Sequence, residues 1–421
     1  MRVLTSRQRF VATLAAGALV LSACGGGNDT ASDTTTGDGA TTTAGGPTTT
    51  TQPAATGDPV NVGLINMEDT PAGSFPELRI GAEAAVGYIN NQLGGIDGHP
   101  IELEICKTGG TPEDTQACAN QLVEANVPVV IAGQDFQMSV AYPIFQQAGI
   151  PVVGITPTTP ADFTAQGAYY FSGGSFTNLF GLVQFIGDYL EVKKVAVLFQ
   201  DDAAGQAAVP LVTPGLDKLG IEYTTLGEKV DAPDYTPMVA AVQAENVDAL
   251  LVLFAAHGCT GIMKARASLM PDVPIITTGA CYNDEVTSGA GDAADNTYFS
   301  LGPNPEDPTS SPDMPAYLAA MAEYAPDADI AGLGGAGFSD VMTLWEVLAG
   351  VGYDSLTTTG IADALKSTKD GHLFLGQPWT CGQVAALPAV CETHIRVYRY
   401  EGGKLEDATD GKWVEGMSLF G

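Results

Sequence analysis

"ELRIGAEAAVGYINNQLGGIDGHPIELEIC", Glu77 to Cys106, carries a helix, a turn and a strand in one run. Apolar residues recur at helical spacing through Leu93, and Gly94-Gly95 is a natural helix stop. Ile101 to Cys106 then alternates apolar and acidic residues, the period of a strand. Another apolar run, "VNVGLIN" from Val60 to Asn66, precedes it. Strand, helix, strand in this order predicts two parallel strands with the helix laid across them.

The pattern continues outward. "TPEDTQACANQLVEAN" is a helix opened by Thr111 and Pro112, and "VPVVIAG" a third strand. "SVAYPIFQQAG" and "IPVVGIT" add another helix and strand. The same order then restarts: "LFGLVQFIGDYLEV", "KKVAVLFQDD", "VPLVTPGLDKLG", "IEYTTLGEKV", "TPMVAAVQAENV", "DALLVLFAA", "TGIMKARASL" and "VPIITTGA" alternate helix and strand. The fold class expected is α/β, with two doubly wound parallel-sheet lobes in tandem.

The N-terminal end reads differently. Arg2, Arg7 and Arg9 precede an apolar run, Phe10 to Leu21, in the order of a secretory signal. That run is shorter than the roughly 20 apolar residues a membrane span needs. Leu21-Ser22-Ala23-Cys24 resembles the lipobox of bacterial lipoproteins, which implies a signal peptide over 1–23 and lipid attachment at Cys24. Gly25 to Asp58 holds twelve threonines among 34 residues and almost no large apolar side chain. It is expected to be a disordered linker, spanning roughly 30 Å as a flexible coil. The exported chain is therefore expected to be lipid-anchored at the outer face of the cytoplasmic membrane.

Charge and cysteines narrow the function. Without the signal, 14 basic residues face 49 acidic ones, which excludes a nucleic-acid partner because phosphate binding needs a basic footprint. Six further cysteines form three local pairs, Cys106 with Cys118, Cys259 with Cys281 and Cys381 with Cys391, and export makes disulfides the expected state. No C-x-x-C spacing is present and the four histidines are scattered, so no metal is expected. H-E-x-x-H, G-x-S-x-G and the phosphate-loop motif are absent as well. The reading is a non-enzyme without cofactors; His257 follows a strand but has no partner acid or base in the sequence. "GLGGAGFSD", Gly332 to Asp340, looks like a dinucleotide loop, but no apolar strand precedes it. Its glycines are expected to let the next helix approach a neighbour or the cleft.

From Val62 to about Pro305 the chain resembles the type I substrate-binding proteins of ABC importers, in their leucine and branched-chain amino acid branch. The residues carrying the resemblance are "GAEAAVGYINNQLGGIDGHPIELEI", "TPEDTQACANQLVE", "AGIPVVGITPTTPADF" and "KKVAVLFQDDAAG". "NNQLGGIDGHPIEL" is the most specific of them. The resemblance implies two lobes joined by three crossovers, expected near Gly173 to Thr177, Tyr298 to Pro305 and Phe374 to Pro378. Lobe 1 would then be 60–175 with 306–372, and lobe 2 would be 176–305 with 373–421.

The resemblance also implies a small-molecule ligand in the cleft, taken as an amino acid, an amide or a similar polar solute. Its partners would be ABC permease subunits, and the receptor itself a monomer. A sensory receptor of the same fold is the alternative. Candidate ligand contacts are Phe75, the loop Gln134, Asp135, Phe136 and Gln137, the turn Thr156, Pro157 and Thr158, and in lobe 2 Phe254, Asn283 and Asp284. The family holds the ligand carboxylate with hydroxyls and helix N-terminal N–H groups. This chain departs from that pattern. Asp135 replaces part of a serine-rich turn, and it either caps the helix or meets the ligand. The family's acid for the ammonium group falls at Cys281, and aromatics expected near Ala204 and Ala255 are absent, with Phe199 and Phe254 close by.

Overall fold

Sheet 1 is built from β1 (Val60–Met67), β2 (Ile101–Thr108), β3 (Val130–Ala132), β4 (Val152–Gly154) and β5 (Ala168–Tyr170). These run parallel in the order β2-β1-β3-β4-β5. The interior strand β1 buries every residue except Asn61, as a parallel strand covered on both faces must. Sheet 2 is built from β6 (Lys194–Gln200), β7 (Glu222–Glu228), β8 (Ala249–Leu253), β9 (Ile275–Thr278), β10 (Thr297–Leu301), β11 (His394–Glu401), β12 (Lys404–Asp407) and β13 (Val414–Glu415). Its order is β12-β11-β10-β9-β8-β6-β7, with β13 paired to β11. This computed structural model describes residues 52–419 except 71, 72, 155, 230 and 255. The expected signal, Cys24 and the linker up to Thr51 lie outside the described residues.

The helices are α1 (Pro76–Gln92), α2 (Pro112–Glu124), α3 (Tyr142–Ala148), α4 (Pro160–Thr164), α5 (Gly174–Tyr189), α6 (Ala203–Leu219), α7 (Thr236–Gln243), α8 (Ala256–Leu269), α9 (Asp284–Ala290), α10 (Met314–Tyr324), α11 (Leu333–Val351) and α12 (Thr358–Ser367). Two cores sandwich each sheet. In lobe 1, Val62 and Leu64 meet α1, α10 and α11 on one face. Ile65 meets α2 and α3 on the other. In lobe 2, α7, α8 and α9 cover one face and α5 and α6 the other. Two α/β sandwiches in tandem are the two-lobed arrangement expected from the alternation of elements.

Helix α11 lies directly against α1. A Cβ on Gly81 would fall 2.0 Å from the Gly334 carbonyl oxygen, and one on Gly337 would fall 2.0 Å from the Leu78 carbonyl oxygen. Backbone touches backbone there, which is the use of the glycine run Gly332 to Gly337. The run lies in the start of the helix rather than ahead of it.

Four boundaries differ from expectation, each for a packing reason. Residues 52–57 are hydrogen-bonded to lobe 1, with Ala55 N–H donating to the Asn90 carbonyl and Gly57 N–H to the Gly98 carbonyl, so the linker does not extend to Asp58. Helix α6 begins at Ala203 rather than Val209, because the Asp202 carboxylate accepts the Gly205 N–H at 2.9 Å and caps it. The segment from Leu373 to Cys391 belongs with lobe 1: Leu373, Phe374, Trp379 and Cys391 enter its core, and Val390 bridges β5 at Tyr170. The third crossover therefore follows Cys391, not Phe374. The second runs through Gly302 to Asp313, later than Tyr298 to Pro305, because Tyr298 to Leu301 are inside β10. Finally, β11 and β12 run antiparallel at the edge of sheet 2, a hairpin the alternating pattern did not reveal.

The three expected cysteine pairs are disulfides. Cys106–Cys118 ties β2 to α2. Cys259–Cys281 joins α8 to the turn after β9, and Cys381–Cys391 closes the segment that covers the edge of β5.

Candidate functional site

The carboxyl ends of β1, β3 and β4 carry three loops, and a buried polar side chain holds each one. Asn66, fully buried at the end of β1, donates from Nδ2 to the Phe75 carbonyl at 2.8 Å and to Glu68 Oε1 at 3.1 Å. Its Oδ1 accepts the Gln134 N–H at 3.0 Å. One amide thereby joins the first loop to the second. Gly133 leaves room for it, since a Cβ there would lie 2.5 Å from Asn66 Oδ1.

Asp135, buried to 2 % exposure, holds the second loop. Its Oδ2 accepts from the Thr108 and Thr115 hydroxyls at 2.7 and 2.8 Å, and its Oδ1 from the Gln137 N–H at 2.7 Å. The carboxylate faces into lobe 1 and braces the loop through these three bonds; the short helix Met138–Val140 and α3 that follow have no side-chain cap, so Asp135 is a loop brace rather than a helix cap. Asp162 holds the third loop, accepting the Thr158 and Thr159 N–H groups on Oδ2 at 2.9 and 2.7 Å. Its Oδ1 accepts the Tyr142 hydroxyl at 2.6 Å, and that hydroxyl lies 2.5 Å from Tyr170 Oη. Burial, then the neighbouring Tyr170 and Asp162, push the Tyr142 phenol up, so it stays a neutral donor.

Beside the first loop, Glu68 is buried between two cations: Arg79 Nε at 2.8 Å and Lys107 Nζ at 2.9 Å. Burial raises this carboxyl. The Arg79, Lys107 and Asn66 hydrogen bonds outweigh that and bring it down to about 2.

Above these supports stand two rings. Phe75 precedes α1, and Phe136 sits at the tip of the second loop with 39 % of its surface exposed, one of two large exposed hydrophobics among the described residues. The rings meet edge to face with centroids 5.9 Å apart. Gln134 is buried, Gln137 half-buried, Thr156 and Thr158 half-buried and Pro157 buried, so the lobe 1 candidates share this end of sheet 1.

Lobe 2 treats its candidates differently. Phe254 is buried at 5 % exposure and packs edge to face on Tyr235, 5.6 Å away, inside a core. It is a core residue rather than a cleft contact. Asn283 caps α9, accepting the Val286 N–H at 3.0 Å, and Asp284 is exposed in the first turn. Cys281, at the position of the family's acid, is buried in its disulfide. The next residue, Tyr282, packs on Phe299 and Tyr400 with centroids 5.3 and 6.3 Å away. Burial, then the charges of Glu306, Asp284 and Asp329, push its phenol up to about 12. Asp329 precedes α11 in lobe 1, so the field at Tyr282 comes from both lobes.

Sequence reasoning passed over Asn66 as a side chain, Glu68 with its two cations, Asp162 and Tyr282. A signal existed for Asp162, which stands at the fourth position of Thr159-Pro160-Ala161-Asp162, an N-cap box pattern. It also existed for Asn66, an amide that directly follows the apolar run Val62 to Ile65 of its strand. The Glu68 pairings join residues distant in sequence and leave no local trace.

Two α/β lobes with loop-bearing strand ends and three crossovers define a bilobal solute-binding protein. Residues 59–382 match the periplasmic binding protein family model, and the chain belongs to that family. It is 30% identical over 202 residues to an amino acid binding protein of Pseudomonas aeruginosa, covering 45% of this chain and 52% of that one. It is 24% identical over 253 residues to the leucine-, isoleucine-, valine-, threonine- and alanine-binding protein of the same organism, covering 58% of this chain and 66% of that one. The chain thus spans between half and two thirds of the length of the curated relatives it matches. Among solved structures, a leucine binding protein from Thermotoga maritima superposes with a TM-score of 0.66 at 15% identity, over 85% of this chain and 99% of that one. These structures share the type I fold. No helix among the described residues is long and apolar enough to cross a membrane.

Proposed function

We propose that this chain is the solute-capturing component of an ABC importer, tethered through a lipid on Cys24 at the outer face of the cytoplasmic membrane. Its ligand is a small polar solute of the amino acid or amide class, held between the lobes and passed to permease subunits. The observation that carries this reading is the set of three strand-end loops braced by Asn66, Asp135 and Asp162 beneath the exposed Phe136 and the half-buried Phe75 it packs on. Loops braced by buried polar groups lose little freedom on binding, which is what a receptor site requires. Family membership supports the transport role, and the amino acid ligands of the relatives support the solute class.

In the proposed site Phe75 and Phe136 supply apolar surface, while Gln134, Gln137, Thr156 and Thr158 supply hydroxyl, amide and main-chain groups for a carboxylate. Asp284 and the Tyr282 hydroxyl face the ligand's other end from lobe 2. Asp135 and Phe254 support the site without touching the solute. Calorimetry with a panel of L-amino acids and their amides tests the assignment. A binder should emerge, and Phe136→Ala should weaken it by about tenfold, the loss of one buried aromatic contact. Heat from no member of the panel would reject the solute class. Cys24→Ala should move the protein from the membrane to the soluble exported fraction, and retention on the membrane would reject the anchor.

A further inference from the structure

Behind the first two loops lies a polar group that the site described above does not use. Asp340, in the middle of α11, is 2 % exposed, and its Oδ1 is buried without a hydrogen-bond partner. It borders a cavity of about 10 Å³ whose other walls include Leu64, Asn66, Leu78, Ala82 and Gly337. That is room for one water molecule, and a water is retained where polar groups reach it. The acid cannot withdraw, because Gly337 holds α11 against the α1 backbone one turn away.

An ionised carboxylate here would lie buried and uncompensated. No ion pair among the described residues includes Asp340, and the side chains around the cavity from α1, β1 and β3 carry no charge. The titratable side chain that feels it is Tyr170 on β5, itself buried and in the field of Asp162 and Asp135. Burial alone pushes the Asp340 carboxyl well above the usual range. A protonated carboxyl becomes a donor and needs an acceptor. Among the described residues, the one polar side chain on the opposite wall is Asn66, whose Oδ1 has a second lone pair beyond the one given to Gln134.

We propose that Asp340 is a positioning residue: it stays a neutral acid and, through one water held in this cavity, braces Asn66 and thereby the first two cleft loops. Helix α11 then takes part in shaping the site without touching the solute. The inference concerns the loops themselves and does not depend on which solute they bind.

Infrared difference spectra of the full chain against Asp340→Asn at neutral pH test the protonation. The carbonyl stretch of a protonated carboxylic acid is expected in the parent and absent from the variant; a carboxylate signal in its place would overturn the proposal. Amide hydrogen exchange tests the bracing. Asp340→Asn keeps a donor and an acceptor and should leave the 67–70 and 133–137 amides within about twofold of the parent. Asp340→Leu keeps the bulk and loses the donor, and should speed exchange there about tenfold, the worth of one hydrogen bond, with lobe 2 unchanged. Equal exchange in parent and Asp340→Leu would overturn the bracing role.

If Asp340→Leu does not fold, pH-dependent unfolding of the other two forms still decides on protonation. The folded-state pKa is raised, so the parent should lose stability relative to Asp340→Asn as pH rises from about 4, by about tenfold in the unfolding constant per pH unit. A difference that stays flat with pH would contradict it.

Discussion

Asn66 shows how much one side chain decides at this site. Its amide satisfies a carbonyl, a carboxylate and an N–H from two loops while fully buried. Asn66→Ala would leave those groups unpaired in the interior, so urea denaturation should report a loss of about 2 to 4 kcal/mol. Glu68 makes a separate prediction about acid. Its folded carboxyl sits at about 2, below the ordinary glutamate value near 4.3, so its stabilising contribution is complete above that value and lost as pH falls through about 2. Glu68→Gln should therefore flatten the fall in stability between roughly pH 4.5 and pH 2, measured by denaturant midpoints. An unchanged slope would mean the Arg79 and Lys107 pairs do not favour the ionised form. At this scale the sequence named the loops at these strand ends but passed over the side chains that brace them, Asn66 and Asp162. Phe75, Phe136 and the Thr156–Thr158 turn lie at the expected strand ends. Asp135 and Phe254 face the wrong way for a ligand, because which side of a loop a residue turns to depends on neighbours remote in sequence.

Among the elements, the contact of α1 with α11 is the least forgiving. In an isolated helix, replacing glycine by alanine is favourable by nearly 1 kcal/mol. At Gly337 the added methyl would strike the Leu78 carbonyl, 2.0 Å away. Gly337→Ala should therefore destabilise by about 2 kcal/mol or more, the cost of overpacking, with the opposite sign to helix propensity. Chemical denaturation measures it, and a gain in stability would show that the helices can part. The parallel strands and their helices were legible because apolar periodicity is a local property, and so were the three disulfides from cysteine spacing and export. The segment from Leu373 to Cys391 was not. It has no regular period, and its place in lobe 1 comes from Trp379 and Phe374 entering a core formed by distant residues. Likewise β11 and β12 were not legible: they are mixed in polarity and form an antiparallel hairpin on β10, outside the strand-helix alternation that reveals the other strands.

At the scale of the whole molecule, the two sandwiches are linked by three crossovers, at 171–173, 302–313 and 392–393. A small cluster of Phe163, Phe180, Leu387, Val390 and Met417 packs beside the first and third of them, joining residues from both lobes. Such a junction allows the lobes to move as bodies while each loop stays braced within its own lobe. A solute that touches both lobes favours the closed arrangement by its differential affinity, and one that touches a single lobe shifts nothing. Small-angle X-ray scattering on the Cys24→Ala chain, with and without the L-amino acid or amide found by calorimetry, tests this most directly. A smaller radius of gyration is expected with solute than without it, at the same mass. An unchanged radius at saturating solute would contradict capture by closure.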